Sequence, residues 1–212
     1  MSGYASISGT NSDDDINTAG FGLRNDYISA KGGEDTIQSG RGDDIIFAGS
    51  GKDLVYADSG NDTVYGEAGM DELYGGAGDD VIAGGDSNDD LLGENGDDTL
   101  IGGQGEDTLI GGSGNDVLTG DGPGVPPKED VFFYESNFGD DTITDFDLDK
   151  DTLEISENIN GTSIDDPADL AAYITEVGGN AVISFPNGDS ITLQGVSRVD
   201  LIAGLDDVVN IV

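Results

Sequence analysis

A nine-residue repeat sets the strongest constraint on how this chain can fold. The stretch GGQGEDTLIGGSGNDVLTG, residues 102–120, contains it twice: two Gly, any residue, a small residue, any residue, Asp, any residue, Leu, any residue. An Asp stands at every ninth position in eleven consecutive units, and Ile, Val or Leu follows each one two residues later. These residues are Asp26, Asp35, Asp44, Asp53, Asp62, Asp71, Asp80, Asp89, Asp98, Asp107 and Asp116. Such strict register predicts units that stack on copies of themselves.

Each unit divides into a turn and a short strand. Glycine tolerates positive φ and close backbone approach, so the first six residues suit a tight turn. The last three, with one aliphatic side chain facing inward, suit a strand too short to bury itself alone. If a turn plus a strand reverses the chain, 18 residues complete one coil and each unit stacks on the next but one. We therefore expect an all-β solenoid of parallel strands.

Stacking of alternate units would sort the aspartates onto two edges. Six fall on one edge, beginning with Asp26 and ending with Asp116, and five on the other, from Asp35 to Asp107. Along each edge the carboxylates recur at about 4.8 Å, the spacing of paired strands. Unscreened like charges at that distance repel strongly. The array therefore requires bound cations.

Composition restricts which cations and partners are plausible. The 212 residues include 45 Asp and Glu against 7 Lys and Arg, giving a formal charge of −38, and contain neither His nor Cys. Oxygen-only ligation favours Ca²⁺ first and Mg²⁺ second. The negative charge argues against nucleic acid and anionic membranes as partners, and no apolar run is long enough for a membrane span. Five gaps on one edge and four on the other predict up to nine ions, with folding coupled to binding and a largely disordered metal-free chain.

The repeats GGAGDDVIA (75–83), GGQGEDTLI (102–110) and GGSGNDVLT (111–119) resemble the calcium-binding nonapeptides of RTX proteins. The resemblance implies a right-handed parallel β-roll, with Ca²⁺ held between stacked turns by the sixth-position Asp and by main-chain carbonyls. The clearest glycine turns are those of Gly75, Gly76, Gly78, Gly102, Gly103, Gly105, Gly111, Gly112 and Gly114. Departures at Arg24, Lys31, Glu67 and Ser87 weaken individual sites.

The resemblance continues beyond the repeats. Residues 131–156 and 188–196 are similar to segments that follow the repeats in many RTX proteins. This implies export through the type I secretion machinery, which reads an uncleaved C-terminal signal, and the apolar end VVNIV is compatible with such a signal. The N-terminus has no features of a cleavable signal peptide. We therefore expect a secreted, extracellular protein.

Composition changes divide the chain into four segments. Residues 1–20 form an N-terminal cap with a degenerate repeat, GTNSDDDIN, at 9–17; residues 21–119 form the roll. Residues 120–130 hold three of the five prolines and are read as a linker, and residues 131–212 as a β-rich cap. Within the cap we expect strands at 131–134 and 142–155, a hairpin around 186–189, and one or two short helices. One helix is expected from Pro167 to about Val177, with Asp166 as N-cap.

Two further patterns need separate interpretation. The run Asp145, Asp147, Asp149, Asp151 begins like an EF-hand loop but has Lys150 where Gly is required and Ser156 in place of Glu, so we read it as the solvated face of a strand rather than an ion site. Phe47, Tyr56, Tyr65 and Tyr74 occupy the ninth position of consecutive units. Phe47 and Tyr65 should stack on one sheet, Tyr56 and Tyr74 on the other, for stability or as a platform for carbohydrate.

Function is expected to be binding rather than catalysis. The chain lacks His and Cys and has no nucleophile motif or residual catalytic segment. The preferred hypothesis is a secreted calcium-binding protein whose roll is its functional body. The alternative is a non-catalytic accessory module, binding polysaccharide or a cell surface, of a secreted enzyme such as an alginate epimerase or a protease. An ice-binding solenoid is disfavoured because the outward positions are mixed. The sequence does not indicate the oligomeric state.

Overall fold

The computed structural model describes residues 5–21 and 25–212; Arg24 lies outside them. The described residues form twenty strands in two sheets. The first sheet contains, in spatial order, β1 (Ala5–Ser8), β3 (Asp26–Gly32), β5 (Ile45–Gly51), β7 (Thr63–Gly69), β9 (Val81–Asp86), β11 (Thr99–Gln104), β13 (Val117–Asp121), β15 (Asp140–Ile143), β19 (Ser190–Leu193), β18 (Asn180–Ser184) and β17 (Ile174–Val177). The second contains β2 (Asp15–Asn17), β4 (Thr36–Gln38), β6 (Leu54–Tyr56), β8 (Glu72–Ala77), β10 (Asp90–Asn95), β12 (Thr108–Ser113), β14 (Val131–Tyr134), β16 (Thr152–Ile155) and β20 (Val209–Ile211).

Strands within the roll pair in parallel with the strand two units away. Val64 on β7 lies opposite Ile82 on β9, and Leu91 on β10 opposite Leu109 on β12, so the register shift is 18 residues. Two nonapeptides therefore make one coil of the solenoid. The expected parallel β-roll is confirmed.

Aliphatic side chains from both sheets fill the space between them. The eighth-position residues from Ile28 to Leu118 are fully buried, and Phe132, Ile143 and Leu153 extend this core past the repeats. Each unit contributes one inward side chain, so no unit has a core without its neighbours.

The C-terminal region continues both sheets before the chain changes direction. β14, β15 and β16 extend the parallel stacking, and β20 pairs with β16. At the end of the first sheet, β18 pairs antiparallel with β19 as the expected hairpin, and β17 pairs antiparallel with β18. The α-helix α1 (Arg198–Val208), whose position the sequence does not predict although one or two short helices are expected here, packs Leu201 and Leu205 against this end. Ser197 caps it by accepting a hydrogen bond from the Asp200 amide.

Two expectations for this region are wrong. The helix expected over 167–177 is a 3₁₀ helix, Pro167–Ala172, capped by Asp166 as expected, and residues 174–177 form β17 instead. Pairing with β18 satisfies their main-chain groups, and β-branched Ile174 and Thr175 fit a strand better than a helix. The strand expected over 142–155 is interrupted, because the Asp147 carbonyl accepts from the Lys150 and Asp151 amides and closes a turn. Further 3₁₀ turns occur at Ala19–Phe21 and Ile159–Gly161. No helix in the described ranges is long and apolar enough to cross a bilayer.

Candidate metal centre

The sixth-position aspartates form two columns along the two edges of the roll. The first column contains Asp26, Asp44, Asp62, Asp80, Asp98, Asp116 and Asp141, and the second contains Asp14, Asp35, Asp53, Asp71, Asp89, Asp107, Asp130 and Asp151. All eleven repeat aspartates are therefore brought together as the 18-residue coil predicts. They are 1–3% exposed.

One hydrogen bond repeats along both columns. The main-chain N–H of each Asp donates to Oδ1 of the Asp one coil further on, over 2.6 Å between Asp26 and Asp44 and 2.8 Å between Asp98 and Asp116. The bond fixes the orientation of each carboxylate and leaves its second oxygen to the space beside the glycine turn.

That second oxygen, Oδ2, is buried without a hydrogen-bond partner along most of both columns. Within residues 25–212 this holds for Asp35, Asp44, Asp53, Asp62, Asp71, Asp80, Asp89, Asp98, Asp107, Asp116, Asp130 and Asp141. A buried unpartnered carboxylate oxygen is costly. Its regular recurrence indicates a missing positive ligand rather than a local packing fault.

In the units from Asp71 to Asp116 the first residue is Gly, and the carboxylate oxygen lies tightly against it. A Cβ atom built on Gly93 would lie 2.3 Å from Asp98 Oδ2 and 2.4 Å from the Gly111 carbonyl oxygen of the next coil. At Gly75 and Gly102 the corresponding carboxylate distances are both 2.5 Å, and at Gly111 the distance is 2.3 Å. The absence of a side chain at this position therefore lets a carboxylate oxygen and a carbonyl oxygen of the next coil come close together, and both are ligand types that Ca²⁺ accepts.

Alanine methyl groups occupy the same position in three earlier units. Ala30, Ala48 and Ala57 stand first in the turns of Asp35, Asp53 and Asp62, and all three are fully buried. The turns whose first position carries no side chain are therefore in the C-terminal half of the array, from Gly66 onward.

The other turn glycines allow consecutive coils to approach closely. A Cβ on Gly76 would lie 2.1 Å from the Asp58 carbonyl oxygen, and one on Gly78 would lie 2.0 Å from that of Gly60. The same contact distances recur at Gly103, Gly105, Gly112 and Gly114, between 1.8 and 2.3 Å. These glycines bring the carbonyls of neighbouring turns together.

Three departures from the glycine pattern retain the turn conformation. Lys31, Glu67 and Ser87 have φ values of 86°, 73° and 84°, in the left-handed region that glycine normally occupies. The Lys31 ammonium donates to the Gly9 carbonyl over 2.7 Å. The substitutions therefore change side chains at these turns without changing the backbone path.

Burial raises the pKa of the column carboxylates from Asp35 to Asp151. It raises the pKa of Asp62 and of Asp89 to about 8, against the opposing effect of the main-chain amide that donates to each, and neighbouring carboxylates raise the pKa further. Burial likewise raises the pKa of Asp98 and Asp107 to about 7. The columns therefore favour a proton or a cation over bare charge at neutral pH.

Carbonyl groups must complete any coordination sphere here. No group of three or more acidic side chains with metal-binding geometry occurs in residues 5–21 and 25–212. Ca²⁺ takes six to eight oxygens and readily accepts backbone carbonyls. Carboxylates in each gap, together with the carbonyls of two turns, match that donor chemistry.

Sequence reasoning missed Asp130, Asp141 and Asp151. Asp130 was assigned to the linker and Asp151 to a solvated strand face, yet both are buried in the second column. The signal was available, since each precedes an inward hydrophobic residue by two positions, as in Asp141-Thr142-Ile143. Irregular spacing concealed it.

The aromatic stacks are confirmed. Ring centroids of Phe47 and Tyr65 are 4.9 Å apart on the first sheet, and those of Tyr56 and Tyr74 are 4.8 Å apart on the second. Tyr27 extends the first stack, and Tyr27 and Tyr65 are 40% and 37% exposed. Both stacks lie on outer faces of the roll, away from the columns.

Comparison with known proteins finds one matching family model and similar solved structures. The family model for the RTX calcium-binding nonapeptide repeat (4 copies) matches residues 22–55, 29–64, 56–91, 65–100 and 92–122. The chain is similar to the extracellular lipase LipA from Serratia marcescens, with 22% identity, a TM-score of 0.49, and coverage of 99% of this chain and 40% of the lipase chain. It is also similar to the AlgE6R3 subunit of the Azotobacter vinelandii mannuronan C5-epimerase, with 26% identity, a TM-score of 0.46, and coverage of 63% and 78% respectively.

The chain thus spans less than half the length of that lipase. No curated protein matches it. The matched segments run without a break from residue 22 to residue 122 and include all eleven repeat aspartates. Residues 22–122 of the chain belong to the family of RTX calcium-binding nonapeptide repeats.

Proposed function

We propose that this chain is a secreted calcium-binding protein that folds into its β-roll when Ca²⁺ fills the gaps between stacked turns. The observation that carries the proposal is the recurrence of a buried, unpartnered Asp Oδ2 packed against a turn glycine, as at Asp98 and Gly93. A hard divalent cation bound there would satisfy this oxygen and the neighbouring carbonyls together.

The proposed ions lie between successive members of each column. The gaps from Asp26 to Asp116 number five and those from Asp35 to Asp107 number four, so up to nine ions are expected within the repeats. The residues proposed to hold them are the eleven repeat aspartates and the turn glycines from Gly75 to Gly114 named above. Lys31, Glu67 and Ser87 border gaps where calcium affinity is expected to be lower, because each places a side chain where the other turns have glycine.

Coupling of folding to calcium suits export. A chain that binds at the weak extracellular end of the range, about 10⁻⁴–10⁻³ M, remains ion-free at cytosolic calcium levels and folds outside. We propose that the type I machinery reads a signal in the C-terminal residues. Val209–Ile211 form β20 in the folded roll, so such a signal would be accessible only before folding.

A calcium titration tests the proposal. Far-UV circular dichroism of the full chain should change from a largely disordered spectrum in chelator to a β spectrum at millimolar Ca²⁺, and native mass spectrometry should count the bound ions. The same concentration of Mg²⁺ is the control, since Mg²⁺ is smaller and demands near-ideal octahedral geometry. Equal β content with and without Ca²⁺ would overturn the proposal.

A second candidate function rests on the aromatic row Tyr27, Phe47 and Tyr65, in which both tyrosines are exposed and Phe47 is half-buried. Rings at this exposure can stack against sugars. On this alternative the roll is a non-catalytic, calcium-dependent module that binds a polysaccharide or cell surface beside a secreted enzyme such as an alginate epimerase or protease. In either case we propose that the chain binds and does not catalyse.

A further inference from the structure

A cryptic repeat unit lies beyond the matched array, at residues 136–144. Its sequence, SNFGDDTIT, has Gly139 fourth, Asp141 sixth and Ile143 eighth, but lacks the opening glycine pair. Asp141 follows Asp116 by 25 residues instead of 18, so no strict period reveals it.

The backbone of this unit repeats the array at three positions. Asn137, in second position, has φ of 69°, close to the 74° of Glu94 two coils earlier. Gly139 has φ of 93°, and a Cβ on it would lie 1.9 Å from the Gly114 carbonyl oxygen, as one on Gly114 would lie 1.8 Å from that of Gly96. The Gly114 amide donates to the Phe138 carbonyl over 3.1 Å, matching the bond from Gly96 to Ser113.

The side-chain bonds of the array also continue. The Asp116 amide donates to Asp141 Oδ1 over 2.9 Å, and the Asp140 amide donates to Asn115 Oδ1 over 3.1 Å, as the Asp97 amide does to Asp79. The Asn137 amide donates to Asn160 Oδ1 and the Asn160 amide donates to the Ser136 hydroxyl, and these bonds hold the turn in place. The turn is therefore built like a repeat turn, on a different sequence.

Three buried oxygen atoms at this junction have no hydrogen-bond partner in the described part of the chain. They are Asp116 Oδ2, Asp141 Oδ2 and the Tyr134 hydroxyl oxygen, on residues that are 1%, 1% and 2% exposed. The Tyr134 ring packs edge-on against Phe138 of this unit, with ring centroids 4.8 Å apart, so Tyr134 lies at the junction. A neutral hydroxyl and two carboxylates are a donor set for a hard cation.

We propose that a further Ca²⁺ ion binds between the coils of Asp116 and Asp141, outside the nonapeptide array, with the Tyr134 hydroxyl facing it. This inference rests on the proposed function of the array. It adds one ion to the first column and joins the C-terminal cap to the roll through metal as well as through strand pairing.

Native mass spectrometry at saturating Ca²⁺ tests this through three Asp→Asn variants of the full chain. Asn retains the Oδ1 acceptor, so the fold is expected to persist. Asp98 borders two gaps, and Asp98→Asn should lose up to two ions. Asp141→Asn should lose one ion relative to Asp149→Asn, a charge-matched control at an exposed cap residue.

Asp116→Asn supplies an independent measurement if Asp141→Asn does not fold. If the column continues to Asp141, Asp116 borders two gaps and its variant loses as many ions as Asp98→Asn. If the column ends at Asp116, its variant loses fewer. Full ion count in Asp141→Asn, or a smaller loss in Asp116→Asn than in Asp98→Asn, overturns the inference and leaves the array intact. An unchanged count in Asp98→Asn instead overturns the proposed function itself.

Discussion

The main-chain N–H of Asp80 donates to Oδ1 of Asp98, 2.8 Å away and one coil further along the roll. The bond orients Asp98 so that its other oxygen remains buried and unpartnered. One oxygen of the Asp98 carboxylate is therefore bonded to the preceding coil, and the other is left for a ligand between this coil and the next.

Replacing Asp80 with Asn should have opposite effects on the two states of the protein. Without calcium it removes a buried charge and should stabilise the roll; with calcium it removes a ligand and should weaken binding of the adjacent ions about tenfold or more, since ligand charge tunes calcium affinity over orders of magnitude. Calcium titration by circular dichroism and the residual β content in chelator measure both effects. Asp79→Asn is the matched control, because Asp79 is exposed and its Oδ1, which accepts from Asp97, is retained. Equal shifts in the two variants would show that only net charge matters.

Acid should partly replace calcium. Burial raises the pKa of Asp62 and Asp89 from 3.8 to about 8, so folding of the ion-free chain takes up protons. Stability of the ion-free roll is therefore greatest near or below pH 4 and is lost as pH rises through about 6 to 8. Circular dichroism after exhaustive removal of Ca²⁺ should show more β structure at pH 5 than at pH 8. With limiting Ca²⁺ present the apparent affinity should fall on acidification, because protons compete for the same oxygens; β content that rises with pH in the ion-free chain contradicts this prediction.

Gly78→Ala should destabilise the calcium-loaded roll by about 3 kcal/mol or more. Its φ of 129° costs an L-residue roughly 1–2 kcal/mol, and the new Cβ would overlap the Gly60 carbonyl oxygen at 2.0 Å. Gly178→Ala separates the cost of positive φ from the cost of steric overlap, since Gly178 has φ of 65° and open space around it. This variant should lose only about 1 kcal/mol. Denaturant unfolding in saturating Ca²⁺ measures both; similar losses would mean that the close approach of coils is unimportant.

Gly75→Ala should retain the fold but weaken calcium binding. A methyl group there would lie 2.5 Å from Asp80 Oδ2 and would displace this proposed ligand, yet Ala48 and Ala57 show that the turn accepts a methyl group. Calorimetric titration should show fewer or weaker sites than in the wild type, with an unchanged β spectrum at saturation. Unaltered affinity would place the ion elsewhere in the gap.

The aromatic row should contribute to stability. Tyr65→Ala removes the stack on Phe47 and should lower the free energy of unfolding by about 1 kcal/mol, as should Tyr173→Ala, which removes a stack on Phe185 in the cap. Tyrosine fluorescence should not respond to soluble alginate. A response that Tyr65→Ala abolishes and Tyr173→Ala retains would favour the polysaccharide-binding alternative.

The period of nine was sufficient to predict the array, because every unit has the same turn and the same inward residue. From it follow the parallel pairing, the two columns and the stacking of Phe47 on Tyr65. A search for the nine-residue period does not find the column members that lie outside it. Asp130, Asp141 and Asp151 follow one another at irregular intervals, and only strand pairing through Phe132, Ile143 and Leu153 returns them to register.

The cap was less predictable because its local signals compete with tertiary pairing. Asp166 and Pro167 begin a helix as their types predict, but Ile174 leaves it to pair with Ile183. The helix α1 has an N-cap at Ser197, but acidic Asp206 and Asp207 near its end oppose the helix dipole, so its sequence is a weak helix signal. Packing of Leu201 and Leu205 against the roll stabilises the helix in spite of this weak local signal.

A carboxylate that serves two coils makes the occupancy of one gap depend on the next. Filling the gap between Asp80 and Asp98 fixes the carboxylate that borders the gap to Asp116, so each ion lowers the cost of ordering its neighbour, as in a one-dimensional chain with nearest-neighbour coupling. The roll would then respond to calcium as a threshold, remaining unfolded over a wide range of concentration and assembling within a narrow one.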